Sequence, residues 1–268
     1  MKTNKRATPK AREYIQELAS RGRHHFTSAE ARAALGVSVQ AAKAALNRLA
    51  KQGAIASPAR GFYVIIPPEY RSLGCLPAEQ FIPALMKGLA QPYYAGLLTA
   101  AQYHGAAHQR PQQFQVFLER KRRPIACGNV RAAFMVRKRL REVPVQTFNT
   151  PRGALAVSTP EATALDLVGY QHRAGGLDHV ATVLAELAER LDPEKLVTAA
   201  ATAPVPWVQR LGYLLEQVGA GQRTAPLKAY VRANAHESVP LLPKARRMAA
   251  KRDDDWKLYV NAKVEPQL

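Results

Sequence analysis

Residues 27–51 read TSAEARAALGVSVQAAKAALNRLAK, and this stretch decides the fold of the N-terminal part. Thr27 and Glu30 have capping-box spacing: the Thr hydroxyl accepts the Glu30 backbone N–H, and the Glu carboxylate reaches back to the Thr27 N–H. A short helix is expected from there to Leu35. Gly36 ends it, because the turn needs a residue that tolerates positive φ. Ser38 then caps a helix running to about Lys51. Its apolar positions Val39, Ala42, Leu46 and Leu49 recur at helical spacing and form one face. Gly53 stops it.

Upstream, Thr8-Pro9 signals a helix start, Ile15, Leu18 and Ala19 supply an apolar stripe, and Gly22 closes the segment. Downstream the pattern changes to strands at 54–57 and 62–66, joined by a turn over Pro58-Ala59-Arg60-Gly61. Helix, short helix, tight turn, helix and hairpin is the order of a winged helix-turn-helix. In that motif the second helix of the pair enters the DNA major groove, with its N-terminal side chains on base edges. The face opposite the apolar positions carries Ser38, Gln40, Lys43, Asn47, Arg48 and Lys51, and Arg60 sits at the wing tip. Gln and Asn read adenine with two hydrogen bonds, and Arg and Lys read guanine or bind phosphate. The blander alternatives are a solvated amphipathic helix, or a winged helix that meets protein instead of DNA.

Charge supports the nucleic-acid reading. The 268 residues hold 39 Lys and Arg against 20 Asp and Glu, a formal net +19. That excess attracts polyanions. It is also uneven. Residues 1–72 hold 13 basic and 4 acidic side chains, residues 110–152 hold 11 and 2, and residues 153–268 hold 14 and 13. A second basic surface is therefore expected from Arg120, Lys121, Arg122, Arg123, Arg131, Arg137, Lys138, Arg139 and Arg141, part of it on one sheet face because strand side chains alternate. Its alternative is a solvated hairpin.

The remaining sequence predicts two domains: a winged helix-turn-helix over 1–72, and a domain over 73–268 beginning after the Pro67-Pro68 break. The fold class is mixed α/β (α+β). The second domain should have helices at 78–90 and 93–106. A β-rich part over about 110–158 follows, with strands at 113–119, 130–137, 143–148 and 154–158 in a mainly antiparallel sheet. A helical part over about 159–250 is broken at Asp192-Pro193, Pro204–Pro206 and Gly219–Gly221, and a closing strand is expected near Trp256–Asn261. Cys75 and Cys127 form neither a CxxC nor a zinc spacing. No run approaches the ~18 apolar residues of a membrane span, and the basic first twelve residues lack the apolar stretch of a secretory signal. A soluble cytoplasmic protein without membrane partners is expected.

Within the second domain, PYYAGLLTAAQYHGA at 92–106 resembles the signature helix of the AbiEi family, the antitoxins of type IV toxin–antitoxin systems. STPEATALDL at 158–167 and WKLYVN at 256–261 are similar too. The resemblance runs from end to end. It implies an antitoxin, with a role in phage defence, that represses its own operon by binding inverted repeats in duplex DNA. It further implies that the protein counteracts a nucleotidyltransferase-like toxin without a stable complex, through the C-terminal domain.

No enzyme, cofactor or metal is expected. His104 and His108 have a spacing that suits a metal, but no third ligand is evident, and a core histidine is the better reading. Glu119-x-Lys121 imitates half of a metal-nuclease motif. No Asp or Glu lies between Glu79 and Glu119 to complete it, which leaves a nuclease as a distant alternative. A stand-alone winged-helix regulator with a ligand-sensing C-terminal domain is the nearer one.

Overall fold

A computed structural model describes residues 7–106, 111–243, 245 and 250–266. The N-terminal elements are α1 (Ala7–Ser20), β1 (His25–Thr27), α2 (Ser28–Leu35), α3 (Val39–Lys51), β2 (Ile55–Ala59) and β3 (Phe62–Ile65). Then come α4 (Ala78–Gly88), β4 (Tyr93–Ala95), α5 (Leu97–Tyr103), β5 (Phe114–Leu118), β6 (Ile125–Cys127), β7 (Val130–Val136), β8 (Val145–Thr150) and β9 (Gly153–Ser158). The last part holds α6 (Pro160–Gly169), α7 (Leu177–Leu187), α8 (Pro193–Ala200), α9 (Val205–Gln217), α10 (Ala225–Asn234), β10 (Val239–Pro240), β11 (Lys251–Asp253) and β12 (Leu258–Val260). The architecture is the mixed α/β one expected, with a helix-turn-helix at the N-terminus. No helix among the described residues is long and apolar enough to cross a membrane.

The chain forms two compact units, each discontinuous in sequence. The first holds Met1–Tyr93, Gln112–Val136 and Thr147–Leu155; the second holds Tyr94–Pro111, Arg137–Gln146 and Ala156–Leu268. The boundary read at residue 72 is thus not where compactness ends. The reason lies in the wing. One core of the first unit, built on Ile15, Phe26, Leu35, Leu46 and Leu49, packs α1, α2 and α3 together with Ile55 and Ile65. A second core takes Ala56, Phe62, Val64 and Ile66 of the wing and buries them with Leu76, Phe81, Ile82, Val116, Leu118 and Ile125. Both faces of the wing are therefore occupied. Residues after the Pro67-Pro68 break complete the unit that the wing begins.

Within the first unit the small sheet has the order β1-β3-β2, both pairings antiparallel. β1 was not visible as a strand in the sequence, because three residues are too few to show alternation. The second ladder system mixes directions: β5 and β7 are parallel, and β6 and β7 antiparallel. The chain turns back after β5, leaves a strand's width, and fills it with β7 after the tight turn at Gly128-Asn129. That turn presses on the 73–74 backbone. The Asn129 N–H donates to the Leu73 carbonyl at 2.7 Å, and Gly128 has φ +54° with only 2.1 Å between an ideal Cβ and the same oxygen. Cys75 and Cys127 lie close to this turn in the chain, buried with free thiols.

Residues 93–106 form a strand and then a helix, not a single helix. Gly96 is fully extended and Leu97 has φ +52°, which separates the two. β4 pairs in parallel with β9 through Ala95 and Val157. The helices α7 to α10 fall between the breaks read from the sequence. Asp192 caps α8 by accepting the Glu194 and Lys195 N–H groups, with Pro193 in the first turn. Trp256 is fully buried against Gly212 and its Nε1 donates to Glu216 Oε2 at 2.8 Å. β12 pairs in parallel with β10 and antiparallel with β11.

Candidate nucleic-acid interface

The capping box forms as the sequence requires. The Thr27 N–H donates to Glu30 Oε2 at 2.6 Å, and the Glu30 N–H to Thr27 Oγ1 at 3.2 Å. Arg23 adds an ion pair to Glu30. These bonds hold Glu30 below the ordinary carboxylate range, against a burial effect that pushes it up. Gly36 caps α2 in the left-handed region, which turns the chain into α3. The Ser38 hydroxyl accepts the Ala41 N–H at 3.3 Å, so its oxygen serves first as a cap.

α3 buries Ala42, Ala45, Leu46 and Leu49. Val39 does not join that face. It is the first residue of α3 and is 56% exposed. Gln40, Lys43, Asn47 and Lys51 are exposed or partly so, and Arg48 is half-buried. Arg60 is exposed on the wing tip, where Gly61 supplies the φ of +74° that the two-residue turn needs. The α3 surface thus offers two amides, several cations and one apolar side chain. Val39 is the member that sequence reasoning assigned to the core. An exposed apolar residue in the first helical turn suits the methyl group of thymine.

The second basic set is divided by the fold. Arg120, Lys121 and Arg123 lie at the surface of the first unit, Arg131 is exposed with Nη1 on the Gly128 carbonyl at 2.6 Å, and Arg122 is placed over the Phe134 ring. Lys138, Arg139 and Arg141 belong to the second unit and are exposed. Arg139 forks onto Glu142 and donates to the Ala201 carbonyl at 2.9 Å. Arg137 is not a surface residue. It is 4% exposed, pairs with the fully buried Asp166 at 3.1 Å and lies 4.7 Å from the Trp207 ring centroid. The Tyr94 hydroxyl donates to the other Asp166 oxygen at 2.7 Å. Burial raises Asp166 to about 6, although Arg137 and Tyr94 pull it down. Arg137 is therefore a core residue, and its charge is neutralised inside the protein.

His104 is also structural. Its Nε2 donates to the Ser158 carbonyl at 2.7 Å, and Nδ1 lies 3.2 Å from Gln146 Nε2, which donates to it. Both ring nitrogens are used, and burial lowers its pKa. His108 lies outside the described residues. Among those described, no group of three His, Cys, Asp or Glu is placed to hold a metal. The segments 92–106 and 158–167 therefore meet at Tyr94–Asp166, at Ala95–Ser158 and at His104–Ser158.

A capped helix pair, a wing and an exposed face of amides and cations define a winged-helix protein of the regulatory type, carrying a second mixed α/β unit. Residues 13–66 match the family model described as transcriptional regulator, AbiEi antitoxin, and residues 94–217 match that of the AbiEi antitoxin C-terminal domain. The chain belongs to the AbiEi antitoxin family. The C-terminal match begins at Tyr94, the residue at which the second unit begins. No curated protein matches the chain. The crystal structure of the RV2827C protein from Mycobacterium tuberculosis is similar in fold, with TM-score 0.65, 17% identity, and coverage of 94% of this chain and 92% of that one.

Proposed function

We propose that this protein is the antitoxin of a type IV toxin–antitoxin system. It represses its own operon by binding inverted repeats in the cytoplasm, and it counteracts a nucleotidyltransferase-like toxin without a lasting complex. The observation that carries the DNA-binding half is the α3 face: Gln40, Lys43 and Asn47 stand on one side, while Ala42, Leu46 and Leu49 anchor the other. Gln40 and Asn47 read adenines; Lys43 and Arg48 read guanine or hold phosphate; Ser38, Lys51 and Arg60 hold the backbone on either side. Val39 adds an apolar partner for a thymine methyl. Arg120, Lys121 and Arg123 bind further phosphates, or compete for an anionic toxin substrate. Neutralisation is assigned to the second unit, which holds most of the C-terminal family match.

Fluorescence anisotropy on the upstream region of the gene tests this. Alanine at a base reader should cost about 1–3 kcal/mol on the specific site, so Gln40→Ala with Asn47→Ala removes most discrimination against random duplex. Neutralising Arg120, Lys121 and Arg123 should lower the slope of log K against log salt by about 0.9 for each phosphate that is no longer paired, without changing base preference. Unchanged operator affinity in the Gln40/Asn47 variant would overturn the assignment of α3.

A further inference from the structure

The second unit contains a cavity of about 670 Å³. Its size lies within the roughly 300–1,000 Å³ of small-molecule sites. Val168, Leu177, Leu242 and Pro243 supply apolar wall. It also opens onto the first turn of α7. That helix starts at Gly176 without a side-chain cap, and its internal bonding begins with the Val180 N–H on the Gly176 carbonyl. The N–H groups at the start of such a helix favour an anion.

Two further groups in the lining are polar. Arg210, on α9, is 9% exposed, and its Nε donates to the Pro240 carbonyl at 2.9 Å. No carboxylate pairs with it among the described residues. Burial lowers its pKa, as expected for a desolvated cation without a counter-ion. Gln171 has a buried amide oxygen that accepts no hydrogen bond. Buried polar atoms are nearly always satisfied, and an unpaired buried charge is costlier still. Among the described residues one acidic side chain lines the cavity, Asp178, and its Oδ1 is occupied by the Glu265 N–H at 3.0 Å. Lys263 stands exposed at the rim, where it pairs with Glu265.

We infer that this cavity is a binding site for a small organic anion: a phosphate or carboxylate head on an apolar body, carrying at least one hydrogen-bond donor. Arg210 is the counter-ion of the head, the first N–H groups of α7 share the charge, and the Gln171 amide oxygen accepts the donor. The apolar wall takes the body. Such a site makes the second unit a sensor of a metabolite, and it does not depend on how α3 meets DNA.

Phenyl phosphate is the probe for the full chain, with benzyl alcohol as the neutral body and inorganic phosphate as the bare head. Calorimetric titration should show one saturable site per chain for phenyl phosphate, at least tenfold weaker binding of inorganic phosphate, and no saturable binding of benzyl alcohol. Arg210→Gln, which keeps a donor for the Pro240 carbonyl, should weaken phenyl phosphate at least tenfold, and Arg210→Lys should restore part of the loss. Lys263→Glu, a surface change that leaves the core intact, should weaken it several-fold, and it decides the matter should the Arg210 variants fail to melt cooperatively. Two results overturn the proposal: no saturable binding of phenyl phosphate to the parent, or equal affinity in the parent and in the folded charge variants.

Discussion

Deleting residues 1–72 should unfold much of what remains of the first unit, although the Pro67-Pro68 break looks like a natural place to cut. The deletion removes Phe62, Val64 and Ile66 from the core they share with Leu76, Phe81, Ile82, Val116 and Leu118. It also removes Glu69 and Tyr70, which pair with and lie under the Arg152 guanidinium. Burying a Val, Ile or Phe side chain stabilises a fold by about 1.5–3 kcal/mol. Three of them, with a matching apolar surface uncovered on the remaining side, are worth roughly 5–9 kcal/mol. The whole stability of a domain is about 5–15 kcal/mol. Residues 73–268 are therefore expected to bind an apolar dye strongly and to lose the cooperative melting of their first-unit strands. Circular dichroism melts and dye titrations of the purified fragment and the full chain measure this. A fragment that melts cooperatively, with a midpoint close to the parent's and without dye binding, would show that the wing's second core is dispensable and refute the reasoning. The consequence is practical: the proposed DNA-binding and neutralising roles should be tested apart by point substitutions on α3, not by truncation.

Asp166→Asn should cost about 3–5 kcal/mol, since it leaves a buried guanidinium without its charge partner; a much smaller loss in urea titrations would mean that Arg137 finds another. Gly128→Ala should destabilise by about 1–3 kcal/mol at unchanged denaturant slope, because the new methyl overlaps the Leu73 carbonyl, and no loss would mean that the turn yields freely. His104 is buried neutral, with a pKa below the unfolded value. Its stabilisation is thus complete above that unfolded value of about 6.5 and is lost as pH falls through the folded one. Melting temperature should drop more steeply on acidification through that range in the parent than in His104→Gln, and parallel curves would assign the acid sensitivity elsewhere. Thr27→Ala should cost about 0.5–2 kcal/mol through loss of the α2 cap, seen as a lower melting temperature of the N-terminal unit.

Local chemistry explains what the sequence made legible. The Thr27–Glu30 box, the Gly36 and Gly61 turns and the Asp192-Pro193 start of α8 depend on groups within a few residues of one another, so their spacing alone specifies them. The amphipathic face of α3 was legible for the same reason, except at its end. Val39 fits the apolar period, but at the first turn of a helix the period does not say whether a neighbour reaches far enough to cover it. β1 and β6, three residues each, carry no pattern to read. The strand–helix break at Gly96-Leu97 was hidden by an apolar run that suits either element.

By itself, then, the sequence determined the helices and hairpin of the winged helix, the breaks between the C-terminal helices, the excess of positive charge and the family. Only the tertiary structure decided which charges face water and where the compact units divide. Arg137 was one cation in a basic run until Asp166, 29 positions away, and Tyr94, 72 positions from Asp166, closed around it. The wing looked like the end of a domain until side chains from 75–86 and 116–132 covered its second face. Burial depends on chain segments that meet across long separations, and the desolvation that neutralises Arg137, or leaves Arg210 without a counter-ion, exists only once they have met.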